Sequence, residues 1–182
     1  SQVTMTGNDF VENRGTAAFG LLLKEIRDSR ITGNRFLQNS VAMYLEGANR
    51  LEVTENDFVG NGWAVQVLAN SDGSAFRDNN FLANSFDVST NSRSTSSTFH
   101  GNYWDRYRGY DMDRNGVGDI PFRPVRLFSL VVQQNKPALV LQRSPLVTLL
   151  DLAEAIFPVL TPANLADAAP SLAPVATPWR PS

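Results

Sequence analysis

The sequence predicts an all-β protein, a right-handed parallel β-helix with three short strands per coil of about 22–23 residues, followed by a cap, an amphipathic helix and an extended tail. Two observations carry this prediction. The first is an internal repeat: Gly7-Asn8-Asp9-Phe10-Val11-Glu12-Asn13 returns as Gly33-Asn34-Arg35-Phe36-Leu37-Gln38-Asn39, as Glu55-Asn56-Asp57-Phe58-Val59-Gly60-Asn61 and as Asp78-Asn79-Asn80-Phe81-Leu82-Ala83-Asn84. The shared pattern is Asn-x-Phe-x-x-Asn, its first asparagines are 26, 22 and 23 residues apart, and Asn102 follows after another 23. The second is the texture inside each period, where β-branched and aromatic bursts alternate with Asn, Gly and Ser, which is strand-and-turn chemistry and not a helical period.

In the period from Asn34 to Asn56, the expected strands are Arg35-Phe36-Leu37, the run from Val41 to Leu45, and the run from Leu51 to Thr54. Gln38-Asn39-Ser40 and Gly47-Ala48-Asn49 read as the corners between them. A leucine-rich repeat would need leucines in fixed register and a helical half-turn, and neither is present. Stacked coils place Phe10, Phe36, Phe58 and Phe81 in one aromatic ladder inside the tube. Corner asparagines suit left-handed conformations and lateral bonding to the next coil. These repeated residues read as scaffold. Because the chain opens within a coil, at Gln2-Val3-Thr4-Met5, the expectation is that further coils precede Ser1.

Composition narrows the function. The chain has 182 residues, 42% of them hydrophobic, enough for a real core. A formal charge of −2 gives no basic field for nucleic acid. The absence of cysteine excludes disulfides, thiolate metal sites and thiol catalysis. No apolar run is long enough to span a membrane.

Three units are expected along the chain: coils over 1–100, an aromatic and Asp-rich cap over 101–143, and a helix and Pro/Ala-rich tail over 144–182. The repeat ends in Ser89–Thr98, which reads as a solvated excursion. The cap then places Asp111, Asp113 and Asn115 at positions one, three and five of a tight loop, with the Val117 carbonyl at seven and Asp119 at nine. Convergent oxygens at that spacing suit calcium, although position twelve is Phe122 where a calcium loop of the EF-hand type has glutamate. The alternative is an Asx-turn loop whose carboxylates bond to backbone N–H groups and to Arg106, Arg108 or Arg114. Copper prefers imidazole, thiolate and thioether ligands. His100 is the sole histidine, and Met5, Met43 and Met112 form no methionine motif. Tyr103, Trp104, Tyr107 and Tyr110 fit either a sugar-stacking platform or a lid on the last coil.

Further on, Ser144-Pro145 reads as a helix start. Leu146, Leu149, Leu150, Ala153, Ile156 and Phe157 then fall on one face of a helix that Pro158 stops. That face docks either on the protein's own β-helix or on a partner. The apolar run Leu127–Val132 fits a helix or a strand. Beyond Pro158 the tail keeps Leu160, Leu165, Leu172, Val175 and Trp179 among its prolines, which points to a segment lying along a surface.

Taken together, the Asn-x-Phe-x-x-Asn coils, the segment Gly101-Asn102-Tyr103-Trp104-Asp105 running on to Ile120-Pro121-Phe122, and Arg143-Ser144-Pro145-Leu146-Val147 with Leu150-Asp151 resemble the C-terminal part of the NosD family. The resemblance implies a periplasmic, non-enzymatic accessory protein for copper-site assembly in nitrous oxide reductase. It also implies two partners, the membrane subunit of an ABC transporter and a copper chaperone. It transfers no copper-ligating residue to this chain. The rival reading is a carbohydrate-binding or carbohydrate-active β-helix protein, a lyase, epimerase or hydrolase. Such chemistry needs an acid and base pair on one face. Glu46, Glu52, Asp57, Arg77 and Asp87 read as solvent-facing charges without such a pairing. A structural adhesin would have no use for the helix and apolar tail.

Overall fold

Each repeat folds into three short strands because its apolar residues alternate over only three to six positions before a corner intervenes. The computed structural model describes residues 1–68, 70–91, 96–125 and 165–180. It contains fourteen strands in three parallel sheets, wound as a solenoid of about four turns, with no helix among the described residues. Sheet A stacks β1 (Thr4–Thr6), β4 (Arg30–Thr32), β7 (Glu52–Thr54), β10 (Ala75–Arg77) and β13 (Thr98–His100). Sheet B stacks β2 (Asp9–Val11), β5 (Arg35–Leu37), β8 (Asp57–Val59), β11 (Asn80–Leu82) and β14 (Tyr103–Trp104). Sheet C holds β3 (Phe19–Lys24), β6 (Val41–Glu46), β9 (Trp63–Val67) and β12 (Phe86–Thr90). The predicted helix with Leu146, Leu149, Leu150, Ala153, Ile156 and Phe157, the run Leu127–Val132, and Leu160 lie outside the described residues.

The register of sheet B puts Phe10, Phe36, Phe58 and Phe81 in line, with ring centroids 4.8, 4.9 and 4.9 Å apart and rings nearly parallel. Trp104 continues this ladder 4.1 Å beyond Phe81. Phe36, Phe58 and Phe81 are fully buried. Centroid spacing matches the distance between paired strands of about 4.8 Å, so stacking follows directly from coil register.

Two columns of asparagine hold the corners. In the first, the backbone N–H and side-chain Nδ2 of Asn8, Asn34, Asn56 and Asn79 each donate to the Oδ1 of the asparagine one coil further on, ending at Asn102. The second repeats this through Asn13, Asn39, Asn61 and Asn84. The expectation of left-handed asparagines is corrected. Positive φ belongs to the residue before each one, Gly7, Gly33, Glu55, Asp78 and Gly101 in the first column and Glu12, Gln38, Gly60 and Ala83 in the second. The kink one residue earlier turns the asparagine inward, where both its donors align with the stacking axis.

Two further expectations change. Ser89 and Thr90 are not part of a solvated excursion; they end β12 and are buried, as is Ser97 just before β13. Pairing with β9 extends the third strand to Thr90. Asp57 and Asp87 are not solvent-facing, each being only 2% exposed. Asp87 is covered by Arg106, 3.6 Å away, and accepts from Asn84. Asp57 is covered by the C-terminal segment.

Candidate functional site

The C-terminal end of the solenoid is closed by two pieces of chain that together imitate another coil. Val125 bridges in parallel to Val88, Asp167 to Phe99 and Ser171 to Tyr103, while Phe122 and Asp167 pair with each other in antiparallel fashion. Asp167 stands where the next asparagine of the first column would be. Its Oδ2 accepts the backbone N–H of Asn102 at 3.0 Å, the Asn102 Nδ2 at 2.9 Å and the Trp104 Nε1 at 3.1 Å. A carboxylate has acceptors and no donor, so the column stops there. Arg106 closes the second column by donating to the carbonyls of Asn84 and Ser85. Leu165 fills the space above the core.

The aromatic residues of the cap divide between tasks. Trp104 is buried as the last rung of the ladder and packs on Phe122 at 5.1 Å. Tyr107 meets Phe122 edge-on and donates its hydroxyl to the Ile120 carbonyl at 2.7 Å. A Cβ on Gly118 would fall 2.1 Å from that hydroxyl oxygen, so the ring passes where only glycine leaves room. Tyr110 remains 55% exposed. With Met112, Ile120 and Leu172 it makes four of the six exposed large hydrophobic residues among those described. Leu172 joins this region through its N–H, which donates to the Gly116 carbonyl.

In the Asp loop, the oxygens turn toward the backbone. Asp111 accepts from the N–H groups of Asn115 and Gly116, Asp113 from the N–H and Nδ2 of Asn115, Asn115 from the N–H of Val117, and Asp119 from the N–H of Met112. Val117 bridges to Ser171. These are Asx-turn hydrogen bonds, and they order the loop. Arg108 serves carbonyls of its own loop, those of Asp105 and Tyr107. Among the described residues no group of three or more His, Cys, Asp or Glu side chains is arranged to hold a metal ion. Met43 is fully buried in the core.

Three carboxyls are held below the usual carboxylate range, each by a hydrogen bond to its charged form. Arg35 does so for Asp9, Arg50 for Asp28, and the Gly116 N–H foremost for Asp111. A carboxyl whose folded pKa is depressed stabilises the fold above its unfolded value, and that contribution is lost as pH falls through the lowered folded value. The urea midpoint is therefore expected to stay level from neutrality to about pH 5 and to fall below about pH 4. The decline is modest because all three groups face solvent. A midpoint that rises on acidification would contradict this assignment.

Beyond the cap, the chain runs back down sheet B as a strap, crossing one coil after another. Ser171 N–H donates to the Asn102 carbonyl. Asn80 holds Val175 with both ends of its carboxamide, Nδ2 to the carbonyl and Oδ1 to the N–H, each at 2.8 Å. Asp57 accepts the Thr177 hydroxyl at 3.1 Å. Trp179 donates Nε1 to the Gly33 carbonyl at 2.9 Å, and its ring lies 4.6 Å under the Arg35 guanidinium. The sequence pattern foresaw a tail lying along a surface. It did not reveal Asn80, Asp57 and Arg35 as the receiving residues, because they read as ordinary outward positions of a strand.

Comparison with known proteins adds a family. The family model described as "Periplasmic copper-binding protein (NosD)" matches residues 1–109. A "Probable ABC transporter binding protein NosD" from Pseudomonas aeruginosa is 24% identical over 194 residues, an alignment covering 93% of this chain and 43% of that protein. A protein of the same description from Stutzerimonas stutzeri is 23% identical over 188 residues, covering 93% of this chain and 42% of its own length. The chain thus spans about two fifths of the length of these curated relatives.

Proposed function

Because the chain belongs to the NosD family, we propose that it forms part of a periplasmic, non-enzymatic accessory protein that serves copper-site assembly of nitrous oxide reductase as the partner-binding scaffold of an ABC transporter. The observation that carries this reading is the family match over the coils, joined to relatives whose printed description is ABC transporter binding protein. The partners proposed are the transporter's membrane subunit and a copper chaperone. Copper is the cargo of the assembly. The described residues offer it no ligand cluster, so no metal-transfer step is assigned to them.

Four outward carboxylates along the coils are ion-paired, Asp9 with Arg35, Asp28 with Arg50, Glu46 with Lys24 and Glu52 with Arg30. The non-enzymatic part of the reading rests on the relatives' descriptions as binding proteins. Among the described residues, four of the six exposed large hydrophobics lie at the cap end, the composition a contact surface favours. Two places are proposed for docking: the cap surface around Met112 and Ile120, and the face of the sequence-predicted helix that includes Leu146, Leu149, Leu150, Ala153, Ile156 and Phe157.

Co-purification of the full-length protein with the transporter's membrane subunit tests this. Met112→Ser with Ile120→Ser, or Leu149→Asp with Ile156→Asp, is expected to abolish recovery of the complex while the β-sheet circular dichroism is retained. Undiminished recovery with both double variants would remove the docking assignment. Failure of the wild-type protein to recover the subunit at all would remove the transporter reading.

A further inference from the structure

The strap across sheet B has the features of a ligand lying in a reading groove. Asp9, Arg35, Asp57 and Asn80 occupy one outward column, in register from coil to coil. An exposed column of this kind is ordinarily solvated, yet Asp57 is 2% exposed and Asn80 is fully buried. The strap's own side chains from Leu172 to Arg180 remain exposed or half-buried except for Thr177. It is therefore held by a few directed contacts and contributes little to the core.

Those contacts read sequence. Asn80 takes the backbone of one residue at both its N–H and its carbonyl, which fixes position and direction without regard to the side chain. Two residues on, Asp57 takes a hydroxyl. The next residue is Pro178, whose ring lies against Gly33, where a Cβ would come within 3.1 Å of it. The one after is Trp179, taken by the Gly33 carbonyl at its indole N–H and by Arg35 on its face. A turn from Thr177 to Arg180, closed by two backbone bonds of 2.9 and 3.0 Å, presents proline and tryptophan together. From Val175 to Thr177 an extended chain advances about 6.6 Å against a coil spacing of about 4.8 Å, so these two residues fall within reach of successive coils, and the turn then brings Trp179 to the Gly33–Arg35 coil.

We propose that the Asn80–Asp57–Arg35 column is a peptide-docking site, closed in cis by residues 173–180, and that it takes a partner polypeptide carrying a hydroxyl–proline–tryptophan sequence when the strap is released. A tethered segment competes at high effective concentration, so the closed site shows a free partner only a small part of its intrinsic affinity. This inference stands apart from the copper reading and needs no metal.

The test uses the full chain and a fluorescein-labelled peptide with the sequence of residues 171–180, followed by anisotropy. Trp179→Ala leaves the column intact and removes the strap's anchor. It is expected to tighten peptide binding by about tenfold or more over the unaltered chain, as release of a competing segment does. Adding Asn80→Ala is expected to remove that gain. A peptide with valine for the threonine and alanine for the tryptophan, offered to the same Trp179→Ala protein, is expected not to bind; this arm does not depend on the folding of a second variant. Equal binding by the unaltered and Trp179→Ala chains, or equal binding of the two peptides, would overturn the proposal. Light scattering that shows a dimer for the unaltered chain and a monomer for Trp179→Ala would also overturn it, since the strap would then be exchanged between two copies.

Discussion

Replacing Asp167 by alanine is expected to lower the free energy of unfolding by about 2–4 kcal/mol, because it strands several buried N–H donors without their acceptor. Asp167 is fully buried, and its Oδ2 is the shared acceptor for the Asn102 N–H, the Asn102 Nδ2 and the Trp104 Nε1. Alanine leaves these donors facing a dry gap at the end of the solenoid. Each buried donor left unmatched costs about 1–3 kcal/mol, which relaxation offsets in part. Asp167→Asn keeps an acceptor at the Oδ2 position and places its amide NH2 where Oδ1 accepts the Ala169 N–H, so it is expected to cost less than alanine, about 1–2 kcal/mol. Urea denaturation followed by far-ultraviolet circular dichroism separates the two variants. Equal midpoints for alanine and asparagine would show that the cap does not depend on this acceptor.

Phe58→Ala is expected to cost about 3–5 kcal/mol, the range for removing a large aromatic side chain from a packed core. Its ring is fully buried between Phe36 and Phe81, with both centroids 4.9 Å away, so its loss breaks two stacking contacts and opens a cavity in the middle of the ladder. Flanking coils are fixed by asparagine bonds on both sides of the gap and cannot close it by moving together. Phe10→Ala is the control. Phe10 stacks on Phe36 alone and is only partly buried, so its truncation is expected to cost less than half as much. A smaller effect at Phe58 than at Phe10 would mean that the ladder is not the axis of stability.

Much of this fold is legible from the chain because a solenoid repeats one local solution. Period, strand position and the aromatic ladder all follow from recurrence of Asn-x-Phe-x-x-Asn, since identical residues one period apart must stack when coils are in register. Trp104 was harder to read. It continues the phenylalanine ladder, yet it stands in a segment whose aromatic cluster suggested a lid. The left-handed kinks were displaced by one residue, because Glu12, Gln38, Glu55 and Asp78 carry no compositional sign of a positive φ and only the corner geometry imposes it. The Asp loop illustrates a different limit. Ligand-type spacing and Asx-turn spacing are the same run of Asp111, Asp113, Asn115 and Asp119, so the sequence leaves both readings open.

The sequence by itself determined the solenoid, its three strands per coil, its aromatic core and the family to which it belongs, because these are properties of nearest-neighbour stacking along a repeat. Tertiary structure alone decided what Asp57, Asn80, Arg35 and Asp167 do. Each acquires its role from a contact between residues 63 to 146 positions apart, as in Trp104 with Asp167, Asn80 with Val175 and Gly33 with Trp179. No local pattern encodes such a meeting. A buried carboxylate and an outward strand residue look alike in sequence until the chain returns to cover one of them, when loss of water forces every polar atom to find a partner.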